Sequence, residues 1–344
     1  MSSKTTNRRK VEHIDIINKH ADTHCQSGYF DRLRLIHRAL PEITLDDIDP
    51  SVTFLGKKIA FPLIISSMTG GDHELLRQIN RNLAVAAQAT HVAMAVGSQR
   101  VMFEQPGAKA SFALRSLAPD VPLISNLGAV QLNYGFGLTQ CKEAVETLSA
   151  DGLYFHVNAL QEAIQPEGNT DFSSLLKKIE NINQQLTVPV LIKEVGCGMH
   201  FKDIKRCIDA GIGYIDIAGQ GGTSWSSIEY HRNPSVTNPG KQFSDWGIPT
   251  PVALKMAAPF MNDVHIISSG GLRNALDMVK SVILGARLCG MAGSLLQAAI
   301  DSADRVIEEI EALKRAFSIA MFLLGVPNID CLRGKSQLFL ETLF

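Results

Sequence analysis

Eight short apolar runs, separated by segments of helical periodicity, constrain this chain more than any other feature. The runs occupy residues 62–68, 92–96, 121–125, 152–157, 188–193, 214–218, 264–268 and 286–291. Each has strand length, and within them residues 62–65 and 188–192 are continuously apolar, as strands buried on both faces of a parallel sheet are. Between them lie amphipathic stretches such as 74–88, 141–149, 172–186, 201–210 and 275–284, each long enough for a crossover helix. Eight βα units predict an α/β chain closed into a (β/α)8 TIM barrel. An open doubly wound sheet is the alternative, but it usually stops at fewer strands. The 344 residues suit one such barrel over 61–344, preceded by an N-terminal extension over 1–60. Residues 223–246 are too polar and too rich in Pro and Gly for a strand or a helix, so a long loop is expected after strand six. A final helix near 302–324 reads as barrel packing.

Charge and composition narrow the function. Lys and Arg number 33 against 34 Asp and Glu, so no basic footprint points to nucleic acid, and any anion must be bound locally. No uninterrupted apolar run of about 18 residues occurs, and the polar, basic start has no apolar core of a signal peptide. No membrane association and a cytoplasmic location are the expectations. The six cysteines form no CxxC pair and read as reduced thiols.

In a (β/α)8 barrel the active site forms at the C-terminal ends of the strands. A polar or glycine cluster stands at each predicted end: Ser67-Met68-Thr69-Gly70-Gly71, Gly97-Ser98-Gln99-Arg100, Asn126-Leu127-Gly128-Ala129, His156-Val157-Asn158 with Gln161-Glu162, Lys193-Glu194, 219–224, Gly270-Gly271-Leu272-Arg273, and Ala292-Gly293. The clusters after strands seven and eight read as a phosphate cup, because glycine admits close approach of backbone N–H groups and a helix N-terminus adds a favourable dipole. Thr223 can add a hydroxyl to the same anion. Lys193, at the barrel mouth, needs an anionic or electron-rich partner; Glu194, Asp216 and a flavin ring edge are the candidates. His156 and Asn158 share one face of their strand, with Gln161 and Glu162 following in the loop. A lone carboxylate such as Glu162 suits Mg2+ bridged to substrate phosphates. These spacings carry no zinc signature. Arg9 and Lys10 read by default as part of a mobile basic tail, but they can cap a bound diphosphate while Arg100 supplies a planar fork from below.

These motifs, with Arg9-Lys10-Val11-Glu12-His13-Ile14 and His156-Val157-Asn158-Ala159-Leu160-Gln161-Glu162 foremost, resemble those of the type 2 isopentenyl diphosphate isomerases, over most of the chain. The resemblance implies an FMN-dependent barrel that converts isopentenyl diphosphate to dimethylallyl diphosphate in isoprenoid biosynthesis. NADPH would serve to reduce the flavin, Mg2+ would be required, and the assembly would be a homotetramer or larger. It implies that Ser67, Met68, Thr69, Ser98, Asn126, Lys193, Thr223, Gly271, Leu272, Arg273, Ala292 and Gly293 hold FMN. It further implies that Arg9, Lys10, Ser98, Gln99, Arg100, His156, Asn158 and Gln161 meet the substrate. Glu162 would hold Mg2+, and Gln161, His156 and Lys193 would carry the chemistry. Two departures stand out: Ala218 where many members carry serine, and Leu272 in place of the usual isoleucine. Two other readings stay open: a different FMN barrel, such as a 2-hydroxy acid oxidase or a dihydroorotate-type dehydrogenase, and a barrel that binds flavin without catalysis.

Overall fold

A computed structural model describes residues 3–25 and 29–340, the side chains of residues 3–8 excepted. The chain opens with helix α1 (Ser3–Lys19), where composition alone reads as a tail, and continues into a two-stranded hairpin, β1 (Val52–Phe54) and β2 (Lys57–Ile59). Its two-residue turn, Leu55-Gly56, has φ of 48° and 78°, the doubly positive geometry whose twist matches antiparallel strands. The hairpin lies at the N-terminal end of the barrel, where Phe54 packs edge-on against Tyr214 and Leu55 approaches Gly152.

The barrel strands are β3 (Leu63–Ile65), β4 (Ala93–Ala95), β5 (Leu123–Gly128), β6 (Gly152–Val157), β7 (Val190–Glu194), β8 (Tyr214–Asp216), β9 (His265–Ser269) and β10 (Leu288–Met291). All neighbours are parallel, and β10 pairs with β3 through Cys289 opposite Leu63, which closes the ring. The expected closed barrel is therefore what forms, with each predicted run supplying one strand whose ends shift by at most three residues.

The longer helices are α2 (Glu74–Thr90), α3 (Arg100–Glu104), α4 (Leu138–Leu148), α5 (Ala159–Ile164), α6 (Leu175–Gln185), α7 (Phe201–Asp209), α8 (Trp225–Arg232), α9 (Thr250–Ala257), α10 (Ala275–Ile283), α11 (Gly293–Asp301) and α12 (Ala303–Leu324). Helix α2 buries Leu76, Ile79, Leu83 and Ala87, an i, i+3, i+4 stripe that seats it on the sheet. Ser302 caps α12 by accepting the Arg305 N–H. The apolar end of α12 buries Phe317, Met321 and Leu324, and Phe317 meets Phe61 just before β3. Truncating so deeply buried a phenylalanine costs about 3–5 kcal/mol.

One expectation fails here. The stretch 223–246 is not devoid of regular structure: it contains α8, capped by Ser224, and a 3-10 turn, Pro239–Phe243. Ser224 caps the helix and tertiary burial of Ile228 and Glu229 holds it, while the flanking Pro and Gly obscure it in the sequence. Residues of the turn after α1 are joined backbone to backbone to the start of this insertion: Cys25 N–H donates to Gly222 O (2.9 Å) and Ser224 N–H to Thr23 O (2.7 Å).

Candidate active site

The C-terminal strand ends open onto two joined cavities. The larger, about 500 Å3, is lined by Gly221, Gly222 and Thr223 after β8, by 270–273 after β9, and by Ala292 and Gly293 at the start of α11. The smaller, about 150 Å3, is lined by Arg9, Lys10 and His13 of α1, by Ser98, Arg100 and Asn126, and by His156, Asn158, Gln161 and Glu162. Ser67, Lys193, Val195 and Trp225 line both. Met68 and Thr69 line an adjoining recess under α1.

Glycine makes the larger cavity possible. A Cβ on Gly271 would stand 2.3 Å from the carbonyl of Gly221, so the loops after β8 and β9 touch backbone to backbone. The result is a side-chain-free wall beside a helix N-terminus, which suits a phosphate. Thr69 Oγ1 is buried nearby without a hydrogen-bond partner. A buried hydroxyl left unpaired is costly, and an atom of a bound group would relieve it. These residues fit a phosphorylated flavin.

Lys193, buried at the junction, donates to Asp216 Oδ2 at 2.9 Å and to Ser269 Oγ at 3.0 Å. Ser269 donates in turn to Asp216 Oδ1 at 2.6 Å. Asp216, rather than Glu194, is therefore its protein partner. Strand alternation sends Glu194 outward, where a single oxygen accepts the N–H groups of Val195, Gly196 and Gly198 at 2.6–3.0 Å and that of Cys197 at 2.5 Å. Burial nevertheless pushes the Glu194 carboxyl up to about 7, against the pull of those donors.

The smaller cavity is a connected polar network. Asn126 Nδ2 donates to Ser67 Oγ, and Asn126 Oδ1 lies 2.7 Å from His156 Nδ1. The amide oxygen accepts, so His156 carries its proton on Nδ1 and keeps Nε2 as an acceptor. Burial, with Lys193, Lys10 and Arg100 nearby, holds His156 down at about 4, hence neutral at physiological pH. Asn158 Nδ2 donates to both Gln161 Oε1 and Glu162 Oε1, which fixes its orientation and leaves Asn158 Oδ1 buried and unpartnered. Glu162 Oε2 accepts from Gln165 Nε2 and from the Asn169 N–H. A buried carboxylate beside an unsatisfied amide oxygen suits a hard cation.

Helix α1 roofs this cavity. Lys10 Nζ donates to the carbonyls of Gly70 and Ser98 and lies 5.8 Å above the Phe112 ring. Burial, reinforced by Arg9, brings it down to about 7. Arg9 pairs with Glu167, and Arg100 with Glu104 and Asn169.

The structure brings the sequence-predicted residues together with one exception. Gln99 points away from both cavities; its amide is spent on Ala144 O and the Asn126 N–H, with no exposed surface. Arg273 shares the cup through its turn, while its guanidinium is engaged by Asp31 and Asp277. Sequence reasoning did not single out Trp225 or Glu229 of α8, nor assign a role to His13. Glu229 is fully buried and accepts from His13, Gln161 and Arg232. The signal was the helical spacing of Trp225, Ile228 and Glu229 behind a serine cap.

Comparison with known proteins gives this geometry its context. The family model described as FMN-dependent dehydrogenase matches residues 138–338. A solved flavocytochrome b2 variant with sulfite bound superposes with a TM-score of 0.69 at 17% identity, over 98% of this chain and 92% of that one. A mandelate oxidase variant carrying an FMN adduct gives 0.62 at 18%, over 89% and 87%. Fold, family model and phosphate-suited cup together define an FMN-dependent barrel flavoprotein. Within that class, the isopentenyl-diphosphate delta-isomerase of Hydrogenovibrio crunogenus is 50% identical over 96% of both chains, and that of Paracoccus zeaxanthinifaciens is 51% identical over the same shares. That of Rickettsia africae is 43% identical over 92% of this chain and 93% of its own. The chain belongs to the isopentenyl-diphosphate delta-isomerase family.

Proposed function

We propose that this protein isomerises isopentenyl diphosphate to dimethylallyl diphosphate by a 1,3-proton shift over reduced FMN, with NADPH as the reductant and Mg2+ as the diphosphate counter-ion. The observation that carries the reading is the pairing of a phosphate-suited cup with a second, cation-rimmed cavity across Lys193, in a chain that matches delta-isomerases almost end to end. Ser67, Met68, Thr69, Ser98, Asn126, Lys193, Thr223, Gly271, Leu272, Arg273, Ala292 and Gly293 hold the flavin. Bound and reduced, FMN supplies an electron-rich ring able to stabilise positive charge developing at a protonated alkene.

The chain's own residues do the rest. Lys193, steadied by Asp216 and Ser269, presents fixed positive charge at the junction of the cavities. Arg9, Lys10 and Arg100 grip the diphosphate, and the anion restores the proton that burial loosens on Lys10. Glu162 holds Mg2+ against the same phosphates, with Asn158 Oδ1 as an added oxygen. His156 acts as a neutral acceptor through Nε2, since protonation at about 4 bars it from serving as an acid at neutral pH. Gln161 is clamped at both ends, its Oε1 by Asn158 and its Nε2 by Glu229. A carboxamide is a poor acid and base, so Gln161 positions the substrate and passes protons along its hydrogen bonds. Trp225 and α1 roof the site and exclude water. The enzyme works in the cytoplasm as a homotetramer or larger assembly; among the described residues no helix is long and apolar enough to cross a membrane.

The test is anaerobic incubation with FMN, Mg2+, NADPH and isopentenyl diphosphate, following product and NADPH together. Many turnovers of dimethylallyl diphosphate per NADPH consumed are expected. Absence of product, or NADPH loss in step with product, would overturn the reading in favour of an oxidoreductase or a non-catalytic flavin barrel.

A further inference from the structure

Outside both cavities, three metal-ligating side chains converge where the turn after α1 meets the last turn of α8. The half-buried rings of His20 and His231 stack with centroids 3.9 Å apart and planes 21° from parallel. The carboxylate oxygens of Asp22 lie 2.9 and 3.0 Å from His231 Nε2. One potential ligand atom from each residue falls within 4.8 Å of the other two. A tetrahedral zinc centre with bonds of about 2.0–2.1 Å sets its ligands roughly 3.3 Å apart, so binding an ion requires the three groups to close in and the stacked His20 and His231 rings to turn apart until each aims a nitrogen at it.

The backbone explains why the three groups are already close. Thr23, buried between His20 and the insertion, folds its hydroxyl onto His20 O at 2.7 Å and accepts the Ser224 N–H at 2.7 Å. His24 bridges Thr223 in antiparallel fashion. The turn that carries His20 and Asp22 is thus fastened to the segment from which α8 springs. No local spacing announces the cluster, because His231 lies 209 positions from Asp22.

We propose that His20, Asp22 and His231 form a divalent transition-metal site, separate from the Mg2+ position at Glu162, whose ion latches the N-terminal segment to α8. Two imidazoles with one carboxylate is a donor set for Zn2+ and its first-row neighbours, and is unsuited to Mg2+ or Ca2+, which take oxygen ligands. The partly exposed histidines and an Asp22 side chain that is 59% exposed leave the ion a path inward and a fourth position for water. The latch bears on the active site because α1 carries Lys10 and His13, and α8 carries Trp225 and Glu229, to the smaller cavity. An ion that favours the joined arrangement also favours substrate binding, by the same coupling energy.

The ion binding stands independently of the isomerase reading; only the kinetic readout rests on it. Tag-free holoenzyme in excess Mg2+ is titrated with Co2+, whose visible absorption reports nitrogen-ligated, four-coordinate metal. One Co2+ per chain is expected, displaced by Zn2+. The band should be lost in His20→Ala and in Asp22→Asn, both with unchanged flavin absorbance, which shows that the fold survives. No band, or the same band in wild type and both variants, would overturn the site. With stoichiometric Zn2+, KM for isopentenyl diphosphate should fall at constant kcat in wild type and stay flat in His20→Ala. A KM indifferent to Zn2+ in wild type would overturn the latch even if the ion binds, and a protein without isomerase activity would still report the site through cobalt.

Discussion

Replacing Gly271 by alanine tests the phosphate cup, and Gly56 supplies a control of the same backbone geometry. Both glycines have φ of +78°. A Cβ on Gly56 meets nothing within 4 Å, whereas one on Gly271 would lie 2.3 Å from both the carbonyl carbon and oxygen of Gly221. Left-handed backbone costs an L-residue roughly 1–2 kcal/mol, and both variants should lose that much stability. Only Gly271→Ala adds a clash. Carbon atoms rest about 3.5–4.0 Å apart, so the loops after β8 and β9 must part by about an ångström. Forcing such volume into a packed site costs roughly 1–3 kcal/mol. The strain is relieved by opening the cup, so this second amount falls on FMN affinity and weakens it about 5- to 150-fold. Quenching of FMN fluorescence on titration into apoprotein gives Kd, and urea unfolding gives stability. Equal FMN affinity in wild type and Gly271→Ala would refute the assignment of this turn to the flavin phosphate. So would an equal loss in Gly56→Ala.

Other perturbations address the remaining parts of the site. Glu162→Gln keeps the shape but removes the charge and sets an amide donor against Gln165; the Mg2+ needed for half-maximal activity should rise on the order of 10- to 100-fold, read from an Mg2+ titration of turnover. Ala218→Ser places a hydroxyl on the cup wall, where a net hydrogen bond of about 1 kcal/mol tightens FMN binding about fivefold; unchanged Kd would show that the missing serine costs nothing. His156 titrates at about 4 in the folded protein against 6.5 for an ordinary imidazole, so as pH falls the unfolded chain takes up its proton first. The His156 contribution to stability is therefore whole above pH 6.5 and lost progressively down to pH 4, by roughly 3 kcal/mol in all. Urea unfolding at pH 7 and pH 5 should show a smaller drop for His156→Gln than for wild type, and identical drops would place the pH sensitivity elsewhere.

The barrel was legible because its signal is local and repeated. Strands buried on both faces, such as β7 with Val190, Leu191 and Ile192, leave continuous apolar runs that no surface element imitates. Strand-end chemistry was legible for a related reason: closure of the ring carries Ser67, Asn126, His156 and Lys193 to one mouth whatever the loops do. The misplacement of Gln99 was not open to the alternation that separates Lys193 from Glu194, because β4 ends at Ala95 and Gln99 lies in the turn that starts α3. Ser98 and Arg100 line the cavity, while the turn at Gln99 sends the side chain between them into Ala144 and the backbone of Asn126.

The harder losses share one cause. Glu229 lies 216 positions from His13 and 68 from Gln161, yet it accepts a hydrogen bond from each. Those pairings, like the one between Asp22 and His231, exist only because α8 folds back over the barrel mouth and meets the N-terminal segment. An eight-residue helix inside a Pro- and Gly-rich insertion is too short to be stable by propensity alone. It forms because tertiary contacts bury Ile228 and Glu229, and those contacts lie in residues that no window of local sequence contains. Composition could mark 223–246 as an irregular stretch near the site, but the roles of Trp225, Glu229 and His231 depend on a partner segment two hundred residues away.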